Sequence, residues 1–429
     1  MSTLNRTLSP EFIPVRKVDF LKAEEIKLNN GIPVYMLNAG TQEVLKIELI
    51  FNAGIRHASN PLLASAVNDM LDEGTTSREA EALAEELDYY GAFIESETTQ
   101  DNASFILYTL NKYLEPSLKL VQDIIRNPVF PEHEFSIYRS NRKQKYIVDS
   151  DKVAVLARRK FGELLYGKDH YYGKTAQLAD FDALSRTQLE SFHNDFYNAG
   201  NCCILVSGKI SEEVLPQLNA CFGDAAWKKG ITSAAVQSAA VTAPERENTV
   251  EKEGAIQSAI RIGRVLFNRE HPDFPAMQVL NTVLGGYFGS RLMANIREDK
   301  GFTYGIGSGM YSMKDSGYFF ISTEVGVNVT NAALKEIYHE IEKLQQDLIP
   351  QEELELVRNY MTGVFLRSTD GPFALADRRK ALIGYNLGYD YYDRYLKTIQ
   401  SITPENLRNL AQQYLQKNDL IELVAGKRG

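Results

Sequence analysis

The chain has 429 residues, 44% of them hydrophobic and 24% charged, which is too long for one ordinary core and excludes a disordered or fibrous protein. Its 56 acidic against 47 basic residues leave a formal charge of -9, which argues against nucleic acid as a partner. No stretch is apolar and long enough to cross a membrane, and the opening MSTLNRTLSPEF lacks the basic-then-apolar pattern of a secretory signal, so no membrane and a cytoplasmic location are expected.

The alternating segment Val44 to Phe51 predicts a strand and leads through Asn52-Ala53-Gly54 to LLASAVNDMLDEGTT, Leu62 to Thr76. There Leu62, Ala66 and Met70 recur four apart, as do Leu63, Val67 and Leu71, which predicts one helix ending at Gly74 with a broad buried stripe. Ser65, Asn68 and Asp69 fall at i, i+3 and i+4 and share its other side. That is the spacing of metal ligands without the residue types of metal ligands. After a second helix, GAFIESETTQDNASFILYT predicts a hairpin. CCILVSG predicts an apolar strand, and the odd count of Cys202, Cys203 and Cys221 reads as buried thiols, not a disulfide framework.

Lys228 to Gly254 is rich in small residues and reads as a linker. Beyond it the order repeats: a strand from Ser258 to Phe267, the helix PAMQVLNTVLGG, the helix SRLMANIREDKG, and the hairpin FTYGIGSGMYSMKDSGYFFIST. Pro128 to Glu132 of the first half is echoed by Pro350 before EELELVRNYM in the second. These echoes predict an α+β protein of two homologous domains, each a mostly antiparallel sheet with helices packed on one face. The boundaries are 1–228, a linker at 229–254, and 255–429.

FNAGIRHASNP, DEGTT, LLYGKDHYYGK and SRLMANIREDKGFTYGIGS stand in an order that resembles the pitrilysin/insulysin-type zinc metallopeptidases, small bacterial two-domain type, from about Asn29 to Ala425. The resemblance implies the processing-peptidase/LuxS-like metallohydrolase fold. The family's zinc motif His-x-x-Glu-His, in which two histidines bind the metal and the Glu activates its water, falls here on Ser65-Ala66-Val67-Asn68-Asp69. The third ligand, a Glu, falls at about Lys145. A shift of register reaches only Asp149 or Asp151, enough with Asp69 for a weak Mg²⁺ or Ca²⁺ site. His57, His133, His170, His193, His271 and His339 include no helical pair, and structural roles are expected for them. The substrate strand's Asn-Ala step is Glu95-Ser96 here.

In its second half the family carries an Arg and a Tyr seven residues apart that reach the substrate carbonyl, and Arg297 and Tyr304 stand at that spacing. LGGYFGSRL resembles a short form of the glycine-rich loop of a non-catalytic processing-peptidase subunit, with Gly285, Gly286 and Gly289 read either as flexible or as a helix end and turn. The resemblance implies a non-catalytic subunit without a cofactor of its own. Its expected partner is a zinc-bearing homologous peptidase subunit, with which it encloses a peptide or small-protein substrate. The alternatives are a structural or peptide-binding pseudo-peptidase with no catalytic partner, and a homodimer whose activity uses Asp69, Asp72 or Glu73.

Overall fold

The computed structural model describes residues 20–227, 242–243 and 245–428. The first half runs β1 (Glu24–Lys27), β2 (Pro33–Asn38), β3 (Val44–Phe51), α1 (Leu63–Asp69), α2 (Ala80–Tyr90), β4 (Phe93–Thr98), β5 (Ala103–Leu110), α3 (Leu114–Arg126) and α4 (Glu132–Ser150). It continues through α5 (Val153–Tyr166), α6 (Leu178–Ala183), α7 (Arg186–Phe196), β6 (Cys202–Gly208) and α8 (Val214–Phe222). The second half begins with β7 (Glu247–Glu251), β8 (Gln257–Leu266), α9 (Phe274–Asn281), π-helical segments at Thr282–Gly286 and Met293–Asp299, β9 (Ile306–Ser312) and β10 (Gly317–Gly326). It ends with α10 (Thr330–Gln346), α11 (Gln351–Arg367), α12 (Pro372–Ile383), α13 (Asp390–Ser401), α14 (Pro404–Tyr414) and β11 (Ile421–Gly426).

Among the described residues the strands form two sheets, ordered β1-β2-β6-β3-β5-β4 and β7-β11-β8-β10-β9. Without the extra strand β1 the two orders coincide, and the parallel pair β2–β6 of the first is matched by β7–β11 of the second. The remaining pairs are antiparallel. The protein is therefore the duplicated α+β fold that the echoed elements predict. Of the segment read as a linker, residues 228–241 and 244 lie outside the described residues, and Glu247–Glu251 is the edge strand β7.

Alternation along β3 shows how each sheet is covered. Leu45, Ile47, Leu49 and Phe51 join the main core of the first half with α1, α3 and α7. Ile50, on the opposite face, meets Ala376 of α12, which belongs to the second half. The exchange is reciprocal: Ala157, Phe161 and Leu165 of α5 pack on Ala259, Leu423 and Ala425 of the second sheet. Each sheet thus has its own helices on one face and a helix lent by the other half on the second. A helix that buries its apolar stripe against a sheet of the other half ties the halves together by the same hydrophobic term that builds each core.

Charges reinforce this joint. Lys46 and Glu48 of β3 are buried on the α12 side, where Lys380 lies 2.6 Å from Glu48 and 2.7 Å from Glu97, and Asp377 lies 2.7 Å from Lys46. The tips of the two equivalent hairpins also meet: the Lys314 amide donates to Asp101 at 2.9 Å, and the Arg56 guanidinium pairs with both Asp101, at 3.1 Å, and Asp315.

Candidate functional site

The helix that carries the polar trio is shorter than its periodicity predicts. It spans Leu63–Asp69, and Met70 already leaves helical geometry. Gly74 at φ +140° then opens a bridge to Glu79. Asn68 does not share an outer face with its neighbours: it is 0% exposed. Its Nδ2 donates to the carbonyls of Glu97 and Ser104, both at 3.1 Å, and its Oδ1 accepts from the Tyr197 hydroxyl at 3.0 Å. A short helix wedged between α7 and the β4–β5 pair buries two sides, so one polar position turns inward and must be satisfied there. Asn68 pins α1 to both strands and to Tyr197.

Asp69 stays at the surface of the helix and faces α4. Its Oδ2 is ion-paired to Arg142 and accepts from the Tyr138 hydroxyl at 3.0 Å. Burial, and then the Asp69 charge, push the Tyr138 phenol up, so it remains a donor. Arg142 lies three residues before Lys145 on the same helix, and Tyr138 four residues before that; both were missed in the sequence, although their i, i+4 spacing on α4 marks a common face. Ser65 donates to the Leu62 carbonyl at 3.1 Å.

These residues do not fit a zinc ion. The Asn68 amide is fully used inside the fold, the one carboxylate is shared by a guanidinium and a phenol, and Lys145 is a cation. Among the described residues, no group of three or more His, Cys, Asp or Glu is placed to hold a metal. Asp149 and Asp151 are held by Lys152 at 2.8 Å and Lys252 at 2.9 Å. Burial raises the carboxyl groups of Asp72 and Glu73 above their ordinary values. The histidines His170, His193 and His271 hydrogen-bond to backbone atoms.

The second-half pair is arranged differently. Tyr304 stands 93% exposed just before β9, and Arg297 comes from the π-helical segment Met293–Asp299. The Arg297 guanidinium carbon lies 5.3 Å from the centre of the Tyr304 ring and 4.6 Å from that of Phe288, itself 61% exposed. Among the described residues no carboxylate pairs with Arg297. A guanidinium between two rings has its plane fixed while its N–H groups stay open at the edge. Phe288 belongs to LGGYFGSRL, so the glycine-rich segment and the Arg/Tyr pair are one place in the fold. None of its three glycines has a positive φ. A Cβ on Gly285 would come within 2.7 Å of the Ser308 amide, and one on Gly289 within 2.8 Å of the Tyr287 ring. Here glycine permits close packing against β9 and Tyr287.

The matching strand orders of the two sheets and the exchange of α5 and α12 define a duplicated α+β fold, and solved structures share it. A structure from Pseudomonas fluorescens described as a peptidase M16 inactive domain has TM-score 0.85 at 24% identity, over 94% of this chain and 98% of that one. A protease from Helicobacter pylori also reaches 0.85, at 19% identity, over 95% and 100%. The family description Insulinase (Peptidase family M16) matches residues 34–159, and Peptidase M16 inactive domain matches residues 183–361, together well over half of the chain. The chain belongs to the M16 peptidase family, in its two-domain bacterial form. It is 24% identical to the uncharacterized zinc protease YmxG of Bacillus subtilis, over 92% of this chain and 96% of that one. It is 26% identical to an uncharacterized zinc protease of Rickettsia felis, over 76% and 79%.

Proposed function

We propose that this chain is the non-catalytic subunit of a heterodimeric zinc metalloendopeptidase. It closes a peptide-enclosing chamber with a zinc-bearing homologue and offers Arg297 and Tyr304 to the substrate carbonyl. The observation that carries the reading is an asymmetry. The positions of the zinc motif are tied into the fold by Asn68 and by the Asp69–Arg142 pair, whereas Tyr304 is exposed and Arg297, half-buried beside it, has no counter-ion among the described residues. A guanidinium and a phenol are donors suited to a carbonyl oxygen that gains negative charge when the partner's metal-activated water attacks. Zinc is expected in the partner subunit, and this chain's role is to bind and orient the peptide.

The test is purification of the chain alone and with its homologue. The lone chain is expected to lack peptidase activity and zinc, and Arg297→Ala or Tyr304→Phe in the complex is expected to lower kcat/KM by about a hundredfold. Activity of the lone chain, or an unchanged rate in the doubly substituted complex, overturns the proposal. A second reading is a peptide-binding protein without a catalytic partner. It draws on the exposed edge strand β4, which can pair with an extended peptide through its main chain and needs no metal. Recovery of the chain from its native source without an associated zinc peptidase selects that reading.

A further inference from the structure

Beside Tyr304 the second sheet leaves a cavity of about 340 Å³ on its α5 side, lined among others by Arg261, Thr303, Tyr304, Ser322 and Ala154. α5 packs on β8 and β11, and its Ala154 stands at the cavity wall near Ser322 of β10. Arg261 of β8 faces the same side as Ala259, directly across from Ser322 of β10 in the sheet register. The guanidinium lies over the Phe320 ring at 5.4 Å, and among the described residues it has no ion-pair partner. Glu324, the one carboxylate of the lining, makes no ion pair with it and acts on it only as a nearby charge. Burial pushes Arg261 below the ordinary arginine range and the nearby charge of Arg158 adds to this, while Tyr318 and Glu324 act in the opposite direction. A half-buried guanidinium without an ion-pair partner is an arrangement that an incoming anion relieves.

The other polar groups of the cavity hold the loop. The Thr303 hydroxyl donates to the Glu324 carbonyl at 2.7 Å, and the Thr323 hydroxyl reaches the Gly305 carbonyl at 3.0 Å. They fix the backbone on both sides of Tyr304, so the phenol and the cavity keep a constant relation. The Ser322 hydroxyl has no protein partner among the described residues.

We infer that this cavity is a carboxylate-binding pocket, anchored by Arg261 and assisted by Ser322, which takes a carboxylate of the peptide held by Arg297 and Tyr304. The inference rests on the functional reading above, and it deepens it: the chain selects peptides with an acidic side chain, or a free C-terminus, near the clamped carbonyl. The two sources share one chemistry, a planar anion that matches the guanidinium fork.

The test uses the full chain and a fluorescent peptide of unbiased sequence in matched versions, Glu or Gln at one internal position and free acid or amide at the C-terminus, followed by anisotropy. The wild type is expected to bind one carboxylate version about tenfold more tightly than its neutral match, as for a hydrogen bond to a charged group. Arg261→Gln removes that difference and leaves the neutral peptides unchanged, whereas Arg261→Lys retains part of it. Arg297→Ala weakens every version alike; if it changes nothing while the carboxylate preference stands, the clamp reading falls and the pocket survives. Equal binding of charged and neutral peptides by the wild type, or a preference that persists in Arg261→Gln, overturns the pocket and leaves the clamp intact. Independently of any peptide, Ser322→Asp places a carboxylate opposite Arg261 and raises the melting temperature relative to Ser322→Asn; equal values overturn the claim that Arg261 lacks its anion.

Discussion

Asp69 of α1 is ion-paired to Arg142 of α4, and the Tyr138 hydroxyl donates to the same carboxylate oxygen at 3.0 Å. A guanidinium thus stands against the only carboxylate of the polar trio, where a metal-binding relative needs its cation. Both side chains are partly exposed, so the pair contributes modestly: Arg142→Gln is expected to cost about 1 kcal/mol in urea unfolding. Freeing Asp69 in this way is expected to leave zinc substoichiometric by elemental analysis, because a single carboxylate without imidazoles is a poor zinc site.

Asn68 predicts the opposite magnitude. Its two N–H groups and its carbonyl are all used inside the fold, at 3.1, 3.1 and 3.0 Å. Asn68→Glu, the residue of the family's zinc motif, sets a carboxylate against two backbone carbonyls and overfills a closed site. A loss of about 3 kcal/mol or more is expected, against about 2 kcal/mol for Asn68→Ala, which leaves three partners unsatisfied. Guanidinium unfolding of the two variants checks the order; an Asn68→Glu protein as stable as the wild type refutes the assignment.

How much of this was legible follows from which contacts are local. The alternation in Val44–Phe51 and the two hairpins mark strands, and their repeated order marks the duplication, because side-chain period and turn residues are local properties. The exchange of α5 and α12 was not legible: an apolar stripe says that a helix is buried and not against which sheet. The spacing of Ser65, Asn68 and Asp69 likewise gives one face, while the wedge formed by Tyr197 and the Glu97 and Ser104 carbonyls, which turns Asn68 inward, comes from distant parts of the chain. Arg297 and Tyr304 are seven apart in sequence, but the Phe288 ring that completes their stack is visible only in space.

The joint between the halves is expected to depend on Lys380. Burial alone pulls this amine down, and the charges of Glu48 and Glu97 more than offset it, so it titrates above the usual lysine value. Glu48 is 0% exposed, and without Lys380 its nearest cation is Lys46 at 4.0 Å. Lys380→Met is therefore expected to lose about 3 kcal/mol, and the double variant Lys380→Met/Glu48→Gln to recover a large part of that loss. A double-mutant cycle read by chemical denaturation measures the coupling; additive losses refute it.

Acid sensitivity is expected to begin before the carboxylates titrate. Burial, and then the Arg56 guanidinium, lower His57 to about 4, and burial lowers His193. An unfolded histidine titrates near about 6.5, so below that pH the unfolded chain binds protons that the native fold refuses. The stabilisation is complete above about 6.5 and is lost as pH falls towards about 4. Asp72 and Glu73, whose values are raised, act in the other direction and cannot produce the loss. Stability measured at about pH 7 and about pH 5 is expected to drop less in His57→Gln/His193→Gln than in the wild type, and an equal drop removes both histidines as its source.

Under the proposed function, Phe288 is expected to matter to the peptidase reaction without touching a metal. Its ring lies 4.6 Å from the Arg297 guanidinium carbon and, with Tyr304 at 5.3 Å, holds a long side chain that has no carboxylate among the described residues to orient it. An exposed cation–π contact contributes about 0.5–1 kcal/mol, enough to bias the rotamer but not to fix it absolutely. Phe288→Leu keeps apolar bulk and removes the ring quadrupole, while Phe288→Tyr keeps both. If the ring positions Arg297 for a carbonyl that gains charge, Phe288→Leu lowers kcat by about fivefold in the complex with little change in KM, and Phe288→Tyr does not, since only the transition state feels the misplaced donor. If Phe288 merely contacts peptide side chains, Phe288→Leu shifts KM and spares kcat. The split between the two constants decides whether the glycine-rich segment serves the guanidinium or the substrate.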